Sequence, residues 1–180
     1  KNQATKLLKL HKNSTTVLYK SKDYSGKYRL PKLTYLAGLK TKETIHKESK
    51  ILVKINPEKA YFSVRSSNER LRISKLVKKN EVILVMFSGI SIYPLVISKN
   101  SKARLIYGIE VNPIAHKYAL ENIKLNKINN FESANPKVKG IILLKGNVKK
   151  IIPKIKFDRI IMPHPIAAEK YLSLALKHLK

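Results

Sequence analysis

The sequence contains no cysteine among its 180 residues, which excludes disulfide bonds and zinc sites built on thiolates. It also lacks an apolar run long enough to span a membrane, and no signal peptide opens it. We therefore expect a cytoplasmic protein without a disulfide framework. The length allows one domain, or one domain with a small module attached to it.

Acidic residues are scarce, because 11 aspartates and glutamates stand against 38 lysines and arginines, and the formal net charge is +27. Such an excess favours a polyanionic partner, most simply a nucleic acid. The alternative is a lysine-rich surface that is merely solvated. The basic residues are spread along the whole chain, so charge alone does not indicate a binding face.

The stretch from residue 81 to residue 126 sets the expected fold class. It contains, in order, an apolar run, a small-residue turn, a second apolar run that ends on an acid, and a helix start, at Val82–Phe87, Ser88-Gly89, Leu105–Glu110 and Asn112-Pro113. Continuous runs of this composition are typical of parallel strands covered on both faces. The order strand, turn, helix, strand, helix predicts an α/β, Rossmann-like domain.

The chain is predicted to divide near residue 60. Residues 1–60 hold short apolar runs separated by turn residues, and they predict a small β-rich module in which Pro31 ends a short strand. Residues 61–180 predict the α/β domain. Its further predicted elements are a polar loop and three regular segments: loop 127–139, strands Ile141–Leu144 and Phe157–Met162, and helix 167–179.

A helix from Ser67 to Lys79 is predicted ahead of the first strand of the α/β domain. Ser66 and Glu69 have the spacing of a capping box, in which the acid accepts a hydrogen bond from the backbone of the serine. By this pattern alone, Glu69 is a structural residue at a helix start.

Three features that follow strands predict a nucleoside-binding site. Gly89 allows a ligand to approach the backbone of the loop after the first strand. Glu110, at the tip of the second strand, can accept hydrogen bonds from both hydroxyls of a ribose. Asn147 follows the third strand, where a side-chain amide can meet an adenine amino group. Their combination at this spacing is more specific than any one of them.

Five motifs fall in the order found in one protein family. They are Tyr61-Phe62-Ser63-x-Arg65-x-x-x-Glu69-Arg70, Met86-Phe87-Ser88-Gly89-Ile90, Gly108-Ile109-Glu110-x-Asn112-Pro113, Glu121-Asn122-Ile123-x-Leu125-Asn126 and Phe157-Asp158-Arg159-Ile160-Ile161-Met162. From about Thr15 onward the chain resembles the archaeal and eukaryotic tRNA (guanine-37-N1)-methyltransferases, a family that includes the wyosine-pathway transferases.

The resemblance implies a class I methyltransferase fold with S-adenosylmethionine as cofactor, tRNA as partner and no metal. It implies that residues 1–60 form a module that contacts tRNA, and that the protein acts as a monomer. It also implies that residues 61–180 lack the last strands of the domain. The implied reaction is methyl transfer to N1 of guanine 37.

Site residues follow from the same resemblance. Glu69 matches the proposed general base for the guanine N1 proton, and Arg29 matches an arginine that contacts the target guanine. The implied RNA-binding residues are Arg29, Arg65 and Arg70. The implied cofactor-binding residues are Phe62, Arg65, Phe87, Ser88, Gly89, Ile90, Glu110, Val111, Asn147, Val148 and Pro163.

Two other functions remain open from the sequence. A wyosine-pathway aminocarboxypropyl transferase would use the same fold and cofactor but transfer another group. A non-catalytic RNA-binding module is the second alternative, because Val85, Ser91 and Asn147 stand where the family usually has an acid, a glycine and an acid. Glu69 likewise remains open between a helix cap, a general base, or both.

Overall fold

A computed structural model describes residues 2–130, 139–164 and 168–180. In this part of the chain the strands are β1 (Thr16–Ser25), β2 (Leu30–Gly38), β3 (Thr44–Glu48), β4 (Ile51–Ile55), β5 (Val82–Met86), β6 (Leu105–Glu110), β7 (Gly140–Lys145) and β8 (Arg159–Ile161). The helices are α1 (Asn2–Leu10), α2 (Ser67–Lys75), α3 (Ile92–Asn100), α4 (Pro113–Leu125), α5 (Val148–Ile151) and α6 (Leu172–His178). No helix in these ranges is long and apolar enough to cross a membrane.

The centre of the fold is a parallel sheet with the strand order β7-β6-β5-β8. Every residue of β5 is buried. Ile83 and Val85 belong to one hydrophobic cluster, whereas Val82, Leu84 and Met86 belong to a second. Because successive strand residues point to opposite faces, the sheet is covered on both sides, which explains the continuous apolar runs. The predicted α/β, Rossmann-like fold is confirmed.

The predicted strands of this sheet are found with small shifts in their ends. The fourth strand, β8, is shorter than the predicted Phe157–Met162, because fully buried Phe157 instead forms an isolated bridge with Leu179. Most of the predicted loop 127–139, and residue 167 at the start of the predicted last helix, lie outside the described residues. Helix α6 itself begins at Leu172.

The start of α4 is the predicted one. Asn112 is the N-cap residue, and its side-chain oxygen accepts hydrogen bonds from the backbone N–H of Ile114 at 3.0 Å and of Ala115 at 3.4 Å. Pro113 occupies the first helical turn, where it costs no hydrogen bond. This cap fixes the direction in which the chain leaves β6.

Two antiparallel hairpins precede the parallel sheet. One is formed by β1 and β2, against which α1 packs, and the other by β3 and β4. Pro31 was predicted to end a strand, but it is the second residue of β2. It lies at an irregularity of the pairing, between Leu30 and Lys32, where a residue without N–H is tolerated.

The second hairpin belongs to the main hydrophobic core. Ile51, Val53 and Ile55 of β4 lie in the same cluster as the sheet residues Ile83 and Val85. The core is therefore continuous across the predicted boundary at residue 60. We propose instead a division between the two hairpins, near residue 40.

Two asparagines on α4 hold this hairpin in place. Asn122 accepts from the N–H of Lys54 at 2.7 Å and donates to its carbonyl at 3.1 Å, and Asn126 does the same with Leu52 at 2.9 and 2.6 Å. The residues are four apart, so both side chains lie on one helix face. They take the place of a neighbouring strand beside β4, which satisfies backbone groups that would otherwise be buried unpaired.

The predicted capping box at the start of α2 is wrong. Ser66 makes no side-chain capping hydrogen bond. The Glu69 carboxylate instead accepts two hydrogen bonds from the guanidinium of Arg72, each 2.7 Å long. The reason is local, because a short 3-10 helix, Val64–Ser66, leads directly into α2 and Ser66 lacks the extended backbone of a cap residue. Helix α2 also ends at Lys75 rather than Lys79.

Candidate active site

A cavity of about 390 Å³ opens at the carboxyl ends of β5, β6 and β8. Its floor is the loop after β5, and its walls are the residues after β6 and β8, the segment 61–66, and the turn between β1 and β2. Ligands of open α/β sheets bind at this edge, and the volume is within the usual range for small-molecule sites. The cavity is therefore the candidate active site.

The loop after β5 has an unusual backbone. Phe87, Gly89 and Ser91 have positive φ angles of 58°, 57° and 69°. A side chain at Gly89 would meet only the Tyr61 carbonyl oxygen, at 3.9 Å from its Cβ. The loop thus leaves open space above Gly89, where a ligand can lie against the main chain.

Glu110 ties the loop to the end of β6. Its Oε2 accepts a hydrogen bond from the N–H of Gly89 and its Oε1 one from the N–H of Asn112, both at 2.7 Å. Burial raises the pKa of Glu110, and the backbone N–H groups of Asn112, Gly89 and Val111 oppose that shift. A carboxylate has about four acceptor sites, so these backbone donors do not use all of them. The carboxylate is buried, fixed in place and retains acceptor capacity toward a ligand.

Arg29 approaches the cavity from the opposite side, in the turn before β2. Its backbone is left-handed, with φ 52°, rather than part of a strand. Its Nε and Nη1 atoms are buried and have no hydrogen-bond partner among the described residues. A guanidinium buried in this way is costly unless something accepts its hydrogen bonds. Arg29 is therefore placed to hold an acceptor on a bound ligand.

Arg70 lines the cavity but is already paired. Its Nε and Nη2 donate to the two Glu48 oxygens at 2.6 Å, and Nη2 also donates to the Ser63 carbonyl at 3.0 Å. Both side chains of the pair are nearly inaccessible, at 3% and 4% exposure. The Nε and Nη2 donors of Arg70 are therefore used inside the protein, and its expected contact with RNA stays a prediction.

Several predicted site residues line the cavity, and several do not. Those on its surface are Arg29, Phe62, Arg70, Phe87, Ser88, Gly89, Ile90, Glu110, Val111 and Pro163. Four predicted site residues are absent from the cavity lining formed by the described residues: Arg65, Glu69, Asn147 and Val148. Arg65 and Glu69 are exposed, and the Glu69 carboxylate is turned toward Arg72.

Asn147 and Val148 are used in α5, an element that sequence patterns did not predict. The Asn147 side chain accepts from the N–H of Lys149 at 3.0 Å and caps the helix. Val148 is buried against the second hydrophobic cluster. Neither residue lies on the cavity surface formed by the described residues, and their expected part in cofactor binding stays a prediction.

The cavity also has lining residues that sequence reasoning missed. Lys27 and Tyr28 come from the β1–β2 turn. Tyr61 comes from the segment before α2, and Tyr93 from the first turn of α3. The ring of His164 contacts the ring of Phe87 at a centroid distance of 5.0 Å. Tyr61 stands at the head of a motif quoted above, which was the available signal. No local pattern predicts that the β1–β2 turn, which precedes all of these motifs in the chain, lines the site.

The residues present fit a nucleoside cofactor. Glu110 places a carboxylate with remaining acceptor capacity at a strand tip, as ribose hydroxyls require. Gly89 provides open main chain beside it, and Val111 and Phe87 provide apolar surface. Arg29 adds a guanidinium that lacks a partner within the described ranges.

The sheet order and the position of the cavity define a Rossmann-like domain of the class I methyltransferase type. Residues 44–180 match the family model described as the TRM5/TYW2 methyltransferase domain. The chain belongs to that family, as its motifs had predicted.

This chain is similar both to guanine-37 methyltransferases and to aminocarboxypropyltransferases. The tRNA (guanine(37)-N(1))-methyltransferase Trm5b of Pyrococcus abyssi is 36% identical over 170 residues, covering 94% of this chain and 47% of that protein. The tRNA(Phe) (4-demethylwyosine(37)-C(7)) aminocarboxypropyltransferase of Methanocaldococcus jannaschii is 34% identical over 179 residues, covering 99% of this chain and 67% of that protein. This chain spans about half the length of the first of these relatives.

Solved structures of the family share the fold. The complex of aTrm5 and tRNALeu has a TM-score of 0.83 at 31% identity, and the match covers 97% of this chain and 48% of that one. The structure of M. jannaschii TYW2 in complex with AdoMet has a TM-score of 0.73 at 31% identity, covering 93% and 66%.

Ser91→Gly is expected to stabilise the protein. Ser91 is fully buried and left-handed, with φ 69°, and its hydroxyl has no partner in the described structure. Glycine removes the left-handed strain and the unpaired hydroxyl, each about 1–2 kcal/mol, against about 0.5–1 kcal/mol of added chain entropy. We expect a net gain of about 1–3 kcal/mol in the free energy of unfolding, measured by urea denaturation.

Ser98→Gly is the matched control, because Ser98 lies inside α3 with ordinary helical geometry. Glycine there should destabilise the protein by about 0.5–1 kcal/mol. Equal losses for the two variants would show that Ser91 is not strained.

Proposed function

We propose that this protein is an S-adenosylmethionine-dependent tRNA methyltransferase that modifies N1 of guanine 37. The observation that carries the proposal is that one cavity is lined by both the Glu110 carboxylate and the Arg29 guanidinium, whose buried Nε and Nη1 have no partner among the described residues. The net charge of +27 supports an RNA substrate. The names of similar proteins, which include guanine-37 methyltransferases, support the reaction.

Each side of the cavity has a separate task in this proposal. S-adenosylmethionine, when bound, supplies an electrophilic methyl group on its positively charged sulfur, so no metal is needed. Glu110 binds the ribose, and the loop at Gly89 lies against the cofactor. Arg29 donates hydrogen bonds to the target base, which fits its buried and unshared Nε and Nη1. Guanine N1 must also lose its proton to become nucleophilic.

We propose Glu69 as the acceptor of that proton. Helix α2 presents Arg70 to the cavity, and Glu69 precedes it. The hydrogen bond from Arg72 lowers the pKa of Glu69, which weakens it as a base in the state described here. The pair is exposed, at 60% for Arg72 and 47% for Glu69, so solvent screens it and little free energy is lost when it opens. The carboxylate is free to turn when RNA binds.

Glu69→Gln tests this role. Glutamine keeps the size of the side chain but cannot accept the N1 proton, so the single-turnover rate of methyl transfer should fall by roughly 10²-fold or more. The substrate is an unmodified tRNA transcript, and the product is identified as 1-methylguanosine by nucleoside analysis. The midpoint of urea denaturation should change little, because the pair with Arg72 is exposed.

Arg72→Gln is the matched control, since it breaks the same ion pair from the other side. We expect it to leave the rate within a few-fold of wild type. If wild type transfers methyl groups and Glu69→Gln is equally fast, another group accepts the proton.

Aminocarboxypropyl transfer is the second candidate function, because a transferase of that kind is 34% identical over 99% of this chain. The two reactions differ in which carbon on the sulfonium faces the nucleophile. The mass of the modified nucleoside separates them. We favour methyl transfer because Arg29 and Glu69 match the methyltransferase roles.

The structure weakens the support for a non-catalytic module. Val85 is packed in the core, Ser91 is buried beneath the loop, and Asn147 caps α5. None of these three lies on the cavity surface formed by the described residues. We further propose that the protein acts as a monomer, without a metal, in the cytoplasm.

A further inference from the structure

A patch of aromatic and basic side chains lies at the mouth of the cavity. Tyr24, near the end of β1, is 46% exposed. Its ring contacts the ring of Tyr61 at a centroid distance of 5.5 Å and an angle of 65°. Tyr61 lines the cavity, so its contact with Tyr24 places the end of the first hairpin beside the opening.

A cation accompanies the ring of Tyr24. The ammonium of Lys20 lies 5.5 Å from its centroid and 2.6 Å from an oxygen of Asp23. The Asp23 hydrogen bond raises the pKa of Lys20, so its ammonium stays charged. The ion pair of Lys20 is exposed, at 50% and 87%, so a phosphate can replace Asp23 at little cost.

The exposure and the contacts of Tyr24 favour a role in binding. A half-exposed ring held edge-on by another tyrosine gains little from burial, yet its plane is fixed. Exposed aromatic rings surrounded by lysine and arginine are the surfaces on which single-stranded nucleotides stack. The target base must leave its own stack to reach the cavity, which exposes its neighbours at the mouth.

We propose that Tyr24 and Lys20 form a subsite for the nucleotide next to the target guanine. Tyr24 stacks on the base of that nucleotide, and Lys20 contacts an adjoining phosphate. The subsite rests on the proposed function, because the neighbour is defined by the guanine in the cavity. Its ligand is single-stranded RNA, and no covalent step is involved.

The first test compares Tyr24→Ala, Tyr24→Phe and Tyr19→Ala. Tyr19 lies on the same strand and is 59% exposed, so it controls for the loss of any surface tyrosine. The probe is a transcript of the anticodon stem-loop with an unmodified target guanine, and its Kd is measured by fluorescence anisotropy at fixed salt. We expect Tyr24→Ala to weaken binding about 5- to 100-fold, the size of one lost base stack. Tyr24→Phe and Tyr19→Ala should stay within about 2-fold, because the one keeps the stacking ring and the other lies outside the subsite.

Two further RNAs identify the stacked base. Each carries an abasic site on one side of the target guanine. If Tyr24 stacks on that base, the abasic RNA binds wild type more weakly and Tyr24→Ala causes no further loss. Additive losses with both RNAs, or equal Kd values for Tyr24→Ala and Tyr19→Ala, would overturn the proposal.

The role of Lys20 is measured by salt dependence. Lys20→Gln should reduce the slope of log Kd against log salt by about 0.7, as expected for one phosphate contact on a single strand. An unchanged slope would contradict the phosphate contact.

The affinity of S-adenosylmethionine and the yield of 1-methylguanosine are measured on the same preparations. Wild type that binds RNA through Tyr24 but transfers no methyl group would refute the proposed function and leave the subsite standing. Methyl transfer unaffected by Tyr24→Ala, with unchanged RNA affinity, would refute the subsite alone.

Discussion

Glu110→Gln should lower the affinity for S-adenosylmethionine by roughly 10²-fold, a loss of about 3 kcal/mol. The carboxylate is fixed by the N–H groups of Gly89 and Asn112, the N–H of Val111 also acts on it, and acceptor capacity remains for ribose hydroxyls. Two ribose hydroxyls that donate to a carboxylate contribute about 1.5–3 kcal/mol each. Glutamine has one acceptor oxygen and no charge, so it cannot replace both contacts. The measurement is isothermal titration calorimetry with S-adenosylmethionine.

Glu121→Gln is the control for this substitution, because Glu121 lies on α4 and pairs with Lys54 outside the cavity lining. It should leave cofactor affinity unchanged. Wild-type affinity in Glu110→Gln would mean that the ribose lies elsewhere in the cavity.

The raised pKa of Glu110 also gives the sign of a pH effect. A protonated carboxyl loses acceptor capacity, so wild-type cofactor affinity should fall as pH decreases through this pKa. The affinity of Glu110→Gln should not change over the same range.

Arg70→Met should reduce the free energy of unfolding by about 3–5 kcal/mol, because it removes the bidentate partner of a buried carboxylate and leaves Glu48 only His46, at 3.0 Å. Burial alone raises the pKa of Glu48, but the hydrogen bonds and charges of Arg70 and His46 outweigh it, so the net shift is downward. A lowered folded-state pKa means that this stabilisation is present at neutral pH and is lost as pH falls through that pKa. Urea denaturation at neutral pH measures the loss.

The exposed pair formed by Glu69 and Arg72 on the same helix is the control. Arg72→Met should reduce stability much less than Arg70→Met, because both side chains of its pair are exposed to solvent. The double variant Glu48→Gln/Arg70→Met should recover part of the single-variant loss, since no unpaired charge then remains buried. A loss in Arg70→Met no larger than that in Arg72→Met would show that the buried pair is not a stabilising contact.

Sequence patterns were sufficient for the sheet and for half of the cavity. The runs at β5, β6 and β7 are apolar throughout because both faces are covered, and Glu110 and Gly89 follow strand ends whose position the fold determines. The cap at Asn112 depends only on neighbouring residues. Features set by local spacing and by two-sided burial were therefore predictable.

Features that depend on distant contacts were not predictable from spacing. Arg70 and Glu48 are 22 residues apart, and nothing in either neighbourhood indicates that they form a buried pair. Ser66 and Glu69 have capping-box spacing, but the preceding 3-10 helix changes the backbone and Arg72 takes the carboxylate. Asn147 had the position of a ligand residue, yet it caps a one-turn helix that is too short to leave a periodic pattern.

Calorimetric titration of S-adenosylmethionine into the wild-type protein tests the central claim most directly. The cavity at Glu110 predicts one binding site per chain, with a Kd below about 1 mM, the upper end of the usual range for enzyme ligands. Binding should be weakened by Glu110→Gln and preserved in Glu121→Gln. A protein that unfolds cooperatively but releases no binding heat, and shows no shift in Tm, with about 1 mM cofactor would contradict the account.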